Sequence, residues 1–262
     1  MNHIKKHLNL IIQSIKIQTM DKLEVALAFT FITLGIILQF TITIIFFKAI
    51  YLRSATIGGW DVNQVYILLG TYFIIQYISW STYIRGFNKI SRFIENGELD
   101  LYLSKPVNLK FFLSYRYIDP IFIIPQITVA IGLLFYGVSQ TNADINILSY
   151  LFILACAFII HFSLIVIISS INFFTIIRQV DHLHNTIFKL GQYPITIYKG
   201  FTRLVLSIII PIAFIYSVPA RAMVGDLSVK EILATIGITF IFYFISSLIW
   251  NLGLKRYESA HG

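Results

Sequence analysis

The stretch Leu148-Ser-Tyr-Leu-Phe-Ile-Leu-Ala-Cys-Ala-Phe-Ile-Ile-His161-Phe-Ser-Leu-Ile-Val-Ile-Ile-Ser-Ser-Ile-Asn-Phe-Phe-Thr175 runs 28 residues without an Asp, Glu, Lys or Arg. A helix crosses the ~30 Å hydrocarbon core of a bilayer with about 20 apolar residues. This run is long enough and greasy enough to do so. Comparable runs occur at about 25–47, 62–84, 111–137, 201–218 and 231–250, the fifth in chain order being the shortest. The whole composition agrees. Of 262 residues 57% are hydrophobic, 16% aromatic and only 12% charged, and the mean hydropathy is +0.80. A soluble domain carries roughly 25% charged residues, and half of that cannot coat a water-facing surface. A soluble enzyme is excluded, and so is disorder, which is poor in aromatic and branched apolar residues. The expected fold class is an all-α integral membrane protein with six transmembrane helices.

Six spans put both termini on one side. With that side cytoplasmic, the spans leave sixteen of the 20 Lys and Arg inside and only Lys48, Arg53, Arg221 and Lys230 outside. This is the asymmetry of the positive-inside rule. It accounts for the net charge of +8 without a nucleic-acid partner. The reading places the chain in the cell (inner) membrane as a multi-pass protein. Residues 1–22 lack the continuous apolar core of a signal peptide. Ile4, Leu8, Ile11, Ile12 and Ile15 instead recur at helical spacing among lysines, which predicts an amphipathic helix in the cytoplasmic interface. Residues 23–260 then form a single transmembrane domain. Segment 176–192, with Arg178, Gln179, Asp181, His182, His184, Asn185 and Lys189, is too polar to cross lipid and reads as an amphipathic cytoplasmic connection, with a re-entrant element there and the exact start of the fifth span left open.

Little in the chain can carry catalysis. There is no phosphate-binding loop, no His-Glu-x-x-His and no Gly-x-Ser-x-Gly. Cys156 is the only cysteine, so neither an internal disulfide nor a cysteine metal site can form. His182 and His184 point to different faces of a helix. His161, in mid-span, reads as a hydrogen-bonding residue between helices. Arg116 and Asp119, three apart, suit a structural ion pair near the cytoplasmic interface. Pro120, Pro125 and Pro211 interrupt the third and fifth spans and Pro219 closes the fifth, so these four mark bent helices of the kind a gate uses.

The connection from Arg85 to Asn108 is the most specific local feature. Phe87, Ile90 and Ile94 fall on one helical face among Arg85, Lys89, Arg92 and Glu95, and Gly97 can end that helix. Glu98 and Asp100 follow, then Lys105 and Pro106, with Asn108 able to cap the third span. Acidic residues are repelled by the anionic inner leaflet, which favours a protein partner over the headgroups.

Gly97-Glu98-Leu99-Asp100, Leu103, and Lys105-Pro106-Val107-Asn108 together resemble the cytoplasmic signature of six-span permeases of type-2 ABC exporters (the ABC-2-like family). Tyr193-Pro194, Ile210-Pro211, Val218-Pro219-Ala220-Arg221 and the closing Trp250 to Ala260 are similar to the same group. The resemblance implies a permease paired with itself or a sister permease, the substrate path running between the two. A separate ATP-binding subunit would hold ATP and Mg, this chain binding no cofactor itself. It implies that Phe87, Ile90, Ile94, Glu95, Gly97, Glu98, Asp100, Lys105 and Pro106 form the cytoplasmic coupling helix that docks on the ATPase. It also implies an outer gate at about 218–229. The rival readings are a gradient-driven secondary carrier, a non-transport membrane scaffold or assembly factor, and a membrane enzyme using the histidines.

Overall fold

The long helices carry their greasier face outward. The structure, a computed structural model, describes residues 12–13, 26–118, 120–175 and 180–257. Helix α1 spans Ala26–Tyr51 and α2 Val62–Ser79; α2 runs on through a π-helical turn, Trp80–Ile84, into Arg85–Phe87. Short helices follow: α3 Ile90–Glu95, α4 Leu99–Leu103 and α5 Leu109–Arg116. Then come α6 Pro120–Ser139, α7 Ile147–Ser170, α8 Val180–Lys189, α9 Gly200–Leu204, α10 Val218–Met223 and α11 Val229–Arg256.

Helix α11 shows why this is a membrane fold. Thr235, Thr239, Ser246 and Gly253 lie on its buried face beside Phe242 and Trp250, while Leu233, Phe240, Phe244 and Leu248 are exposed. In water that arrangement would be inverted. Between helices in lipid it is favourable, because small residues let backbones approach. The hydroxyls stay satisfied by bonding back to the preceding turn, as Thr235 does to the Glu231 carbonyl at 2.7 Å. Three helices, Phe29–Tyr51, Ile147–Phe173 and Val229–Arg256, are long and apolar enough to cross a bilayer among the described residues. Gly200–Ile209 and Ala213–Met223 together make a fourth such element, bent by 69°. Helix α2 is the central post, buried almost continuously from Val65 to Ile75. It meets α6 closely at two points where one helix offers a glycine to the other: a Cβ on Gly70 would stand 2.8 Å from Leu134, and one on Gly137 2.8 Å from the Asn63 carbonyl. Asp61 caps α2 through the amides of Asn63 and Gln64, each at 2.8 Å.

Four expectations change. The run 111–137 is two helices, broken between α5 and α6, so Asn108 caps α5 and not a span; its side chain accepts from the Phe111 amide at 3.3 Å. Pro120 is the first residue of α6, where a missing amide is harmless, and only Pro125 lies inside that helix. Pro219 does not close the fifth span. It sits near the start of α10, which continues to Met223. The real break is at Pro211, and Ile210 before it leaves helical geometry (φ −122°, ψ 84°), as a residue preceding proline tends to.

The fourth correction is larger. The polar segment expected on the cytoplasmic face enters the bundle. His184 and Phe188 are buried, Gly191 packs flat against the Tyr216 ring, and Tyr193 meets Phe47 with ring centres 5.7 Å apart. Thr196 and Ile197 then touch Gly58, in the loop joining α1 to α2. Polar backbone is tolerated at such depth when protein surrounds it. Lys199 and the start of α9 therefore belong to the α1–α2 loop end. Moving Lys199 and Arg203 across lowers the expected count on the other side from sixteen to fourteen of 20 basic residues. Of the expected interfacial helix at 1–22 only Ile12 and Gln13 are described, both helical and exposed; the rest lies outside the described residues. So do Asp119, and with it the pair with Arg116, the stretch 176–179 and the tail from 258.

Candidate functional site

The segment from Arg85 to Arg116 is built as three short helices folded against the end of α2. Gly86 makes the fold possible, since any side chain there would collide with the Leu113 carbonyl on α5. Phe87, fully buried, meets Phe162 of α7 and Trp250 of α11 edge-on at 5.7 and 5.6 Å. Ile90 and Leu99 are also fully buried. A chain of rings ties the three helices together: Phe93 to Tyr102 at 4.7 Å, and Tyr102 to Phe112 at 5.2 Å. The Lys105 ammonium lies 5.1 Å from the centre of Tyr102, the Arg116 guanidinium 5.2 Å from that of Phe112, and the Lys89 ammonium 3.7 Å from that of Tyr117. Gly97, at φ +68°, ends α3 in the left-handed conformation that glycine takes without strain.

These contacts divide the nine residues singled out from sequence. Phe87 and Ile90 face the core and hold the segment in place, so neither can touch a partner; Ile94 is half-buried. Glu95, Glu98 and Asp100 are half-buried too, Glu98 accepting from the Asn96 amide at 3.0 Å. Burial and then the Asp100 carboxylate raise the pKa of the Tyr257 hydroxyl, which places Asp100 against the chain end of α11. Lys105 and Pro106 are exposed. The most exposed apolar groups here are Leu101 (65%) and Leu103 (41%), neither of them among those nine residues. Two leucines inside a charged run, next to a proline, were the available signal. The outer rim of the segment is thus Leu101, Leu103, Lys105 and Pro106, with Arg92 and Asn96 beside it.

The chain matches the family described as ABC-2 family transporter protein over residues 8–261. It belongs to the ABC-2 transporter family. As an ABC-2 permease it is the membrane component of an ABC exporter and not the ATPase. No protein of curated function and no solved structure matches it.

Two further sites of this permease matter. Between α2 and α7 a buried relay joins Ser79, Tyr83 and His161: Tyr83 Oη lies 2.6 Å from Ser79 Oγ and 2.8 Å from His161 Nδ1. His161 stacks on Phe188 of α8 at 4.3 Å, so the mid-span histidine does bridge helices. His184 sits nearby against Trp80 and Phe188, and the side chain of His182 lies outside the described residues. At the opposite end, Arg221 grips the Glu231 carboxylate and also donates to Asp226 at 2.9 Å. Glu231 in turn accepts from the Ser228 amide and hydroxyl, each at 2.9 Å, in a capping box that starts α11. The cluster pins the turn 224–228, and Ser228-x-x-Glu231 was its sequence signature.

Proposed function

We propose that two copies of this permease, or one copy and a sister chain, form an export path driven by a separate ATP-binding subunit. The ATPase docks on the Leu101–Pro106 rim. The observation that carries this reading is the split within 85–116: an inner face locked into α2, α7 and α11, and an outer face with exposed leucines. An element so anchored moves with its helices. A push on the rim is passed through Phe87 to α2, α7 and α11 together, and α2 packs directly on α6. The bent element from Gly200 to Met223 lies at the other end of that lever, and the Arg221-pinned turn closes it. ATP and Mg belong to the partner, and this chain supplies the path and the handle.

The test is capture of the tagged chain in mild detergent, with identification of co-purifying subunits and measurement of ATPase activity. A stoichiometric ATP-binding partner, lost from the Leu101→Asp, Leu103→Asp double variant while the permease still elutes as a single folded species, is the expected result. Stable, active transport with no ATPase partner, dependent instead on a proton or sodium gradient, would overturn it and favour a secondary carrier.

A further inference from the structure

Three amides and one ammonium with no hydrogen-bond partner among the described residues converge on one cleft between α1, α2, α6 and α8. They are Gln39, Gln126, Asn185 and Lys189, and the cleft between them has a volume of about 250 Å³. Trp80, from the π-helical turn, is 42% exposed and forms part of its wall. Unpaired amides are costly in an apolar surrounding. Scattered singly they would be unremarkable, but here three separate elements deliver them to one place. The entry of α8 into the bundle is what brings Asn185 and Lys189 there.

The lining selects a chemistry. Each amide offers an acceptor as well as donors, so the ligand must bring hydroxyl or amide hydrogens. The Lys189 ammonium only donates, and so calls for an anionic oxygen. No Asp or Glu lines the cleft, leaving a cationic headgroup with no counter-charge and a repelling lysine. The Trp80 face suits the carbon side of a small polyol. Gln39 is flanked on α1 by the exposed Leu38 and Ile42, so the mouth opens on the apolar flank of the bundle. We infer that this cleft binds a polyol-phosphate group, of the kind carried by the headgroup of phosphatidylglycerol. The inference does not depend on the transport reading, since binding is measured on the permease alone.

The full chain is equilibrated in detergent with equal amounts of phosphatidylglycerol and phosphatidylcholine of the same acyl chains, and retained lipid is counted by native mass spectrometry. Phosphatidylglycerol should be retained about tenfold over phosphatidylcholine, one per chain, a difference of about 1.4 kcal/mol. Lys189→Gln and Gln126→Leu should each lower that retention about fivefold, with Lys189→Arg keeping most of it. Lys189 is exposed and makes no side-chain bond among the described residues, so its substitution leaves folding intact. Glycerol 3-phosphate as competitor separates the two sources of the group: displacement supports a free polyol phosphate as a ligand, and resistance supports the lipid. Equal retention of the two lipids, or retention indifferent to both substitutions, would overturn the site.

Discussion

Segments 85–116 and 180–223 look alike in sequence and end in opposite places. Both mix apolar and charged residues at helical spacing, both are interrupted by glycine and proline, and 85–108 and 180–197 within them are too polar to read as spans. The first folds against the end of the bundle and keeps a rim outside, with Leu101 and Leu103 exposed. The second goes in. Helix α8 places Phe188 in the core against His161, and the chain then passes Gly191 under Tyr216. Local amphipathicity therefore reports that a segment has a partner face, not where that partner is. Company at depth differs: α2 with its π-helical turn offers Tyr72 and Tyr83, and α7 offers His161, whereas the helices of 85–116 stack Phe93, Tyr102 and Phe112 on one another.

Substitutions can break this contrast from either side. The largest effects should come from the cores of the two segments. Phe188→Ala and Phe87→Ala each remove a fully buried ring, and each should lower the stability of the detergent-solubilised permease by about 3–5 kcal/mol. Thermal unfolding would check this, and a much smaller loss for Phe188 would show that α8 lies on the surface after all. Gly191→Val should cost about 1–3 kcal/mol by overpacking against Tyr216, readable in the same melt. Tyr83→Phe strips His161 Nδ1 and Ser79 of a shared partner and should cost about 1–3 kcal/mol. At the rim the sign of the contrast reverses. Leu101→Asp with Leu103→Asp should shift stability by no more than about 0.5 kcal/mol while partner capture falls at least about tenfold. At the turn 224–228, Arg221→Gln should destabilise by about 0.5–1 kcal/mol, less than any of the core substitutions, because the pair with Glu231 and Asp226 is partly solvated and screened. A melt in low and high salt, the difference shrinking at high salt, would confirm that origin.

Much of this was legible in the chain. The apolar runs forced helices of membrane length. Asp61-x-x-Gln64 and Ser228-x-x-Glu231, which start α2 and α11, carry the residue types of a capping box, a signal that the expected span limits do not use. Gly97 was readable as a cap, and it has the positive φ that such a cap takes. His161 was readable as a residue that bonds to another helix, although nothing in its surroundings named Tyr83. The errors share one cause. Pro120, Pro219 and Asn108 were assigned to helices whose limits depend on breaks elsewhere, and a proline bends or starts a helix according to which side of it the hydrogen bonds resume. Phe87 and Ile90 look like contact residues in sequence because an apolar stripe does not say whether it meets its own bundle or another chain.

Composition and periodicity alone determined the solvent, the helical class of the long segments and the clustering of basic residues in the connections on one side of the expected spans. These follow from quantities each residue carries by itself: the hydrocarbon transfer free energy of its side chain, its backbone preference and its charge. The tertiary structure decided which stripe faces inward, where 180–197 runs, and that Gln39, Gln126, Asn185 and Lys189 share one cleft. Those outcomes depend on pairs as far apart in sequence as Phe87 and Trp250, and a pair's energy exists only once the backbone has brought both members to the same place.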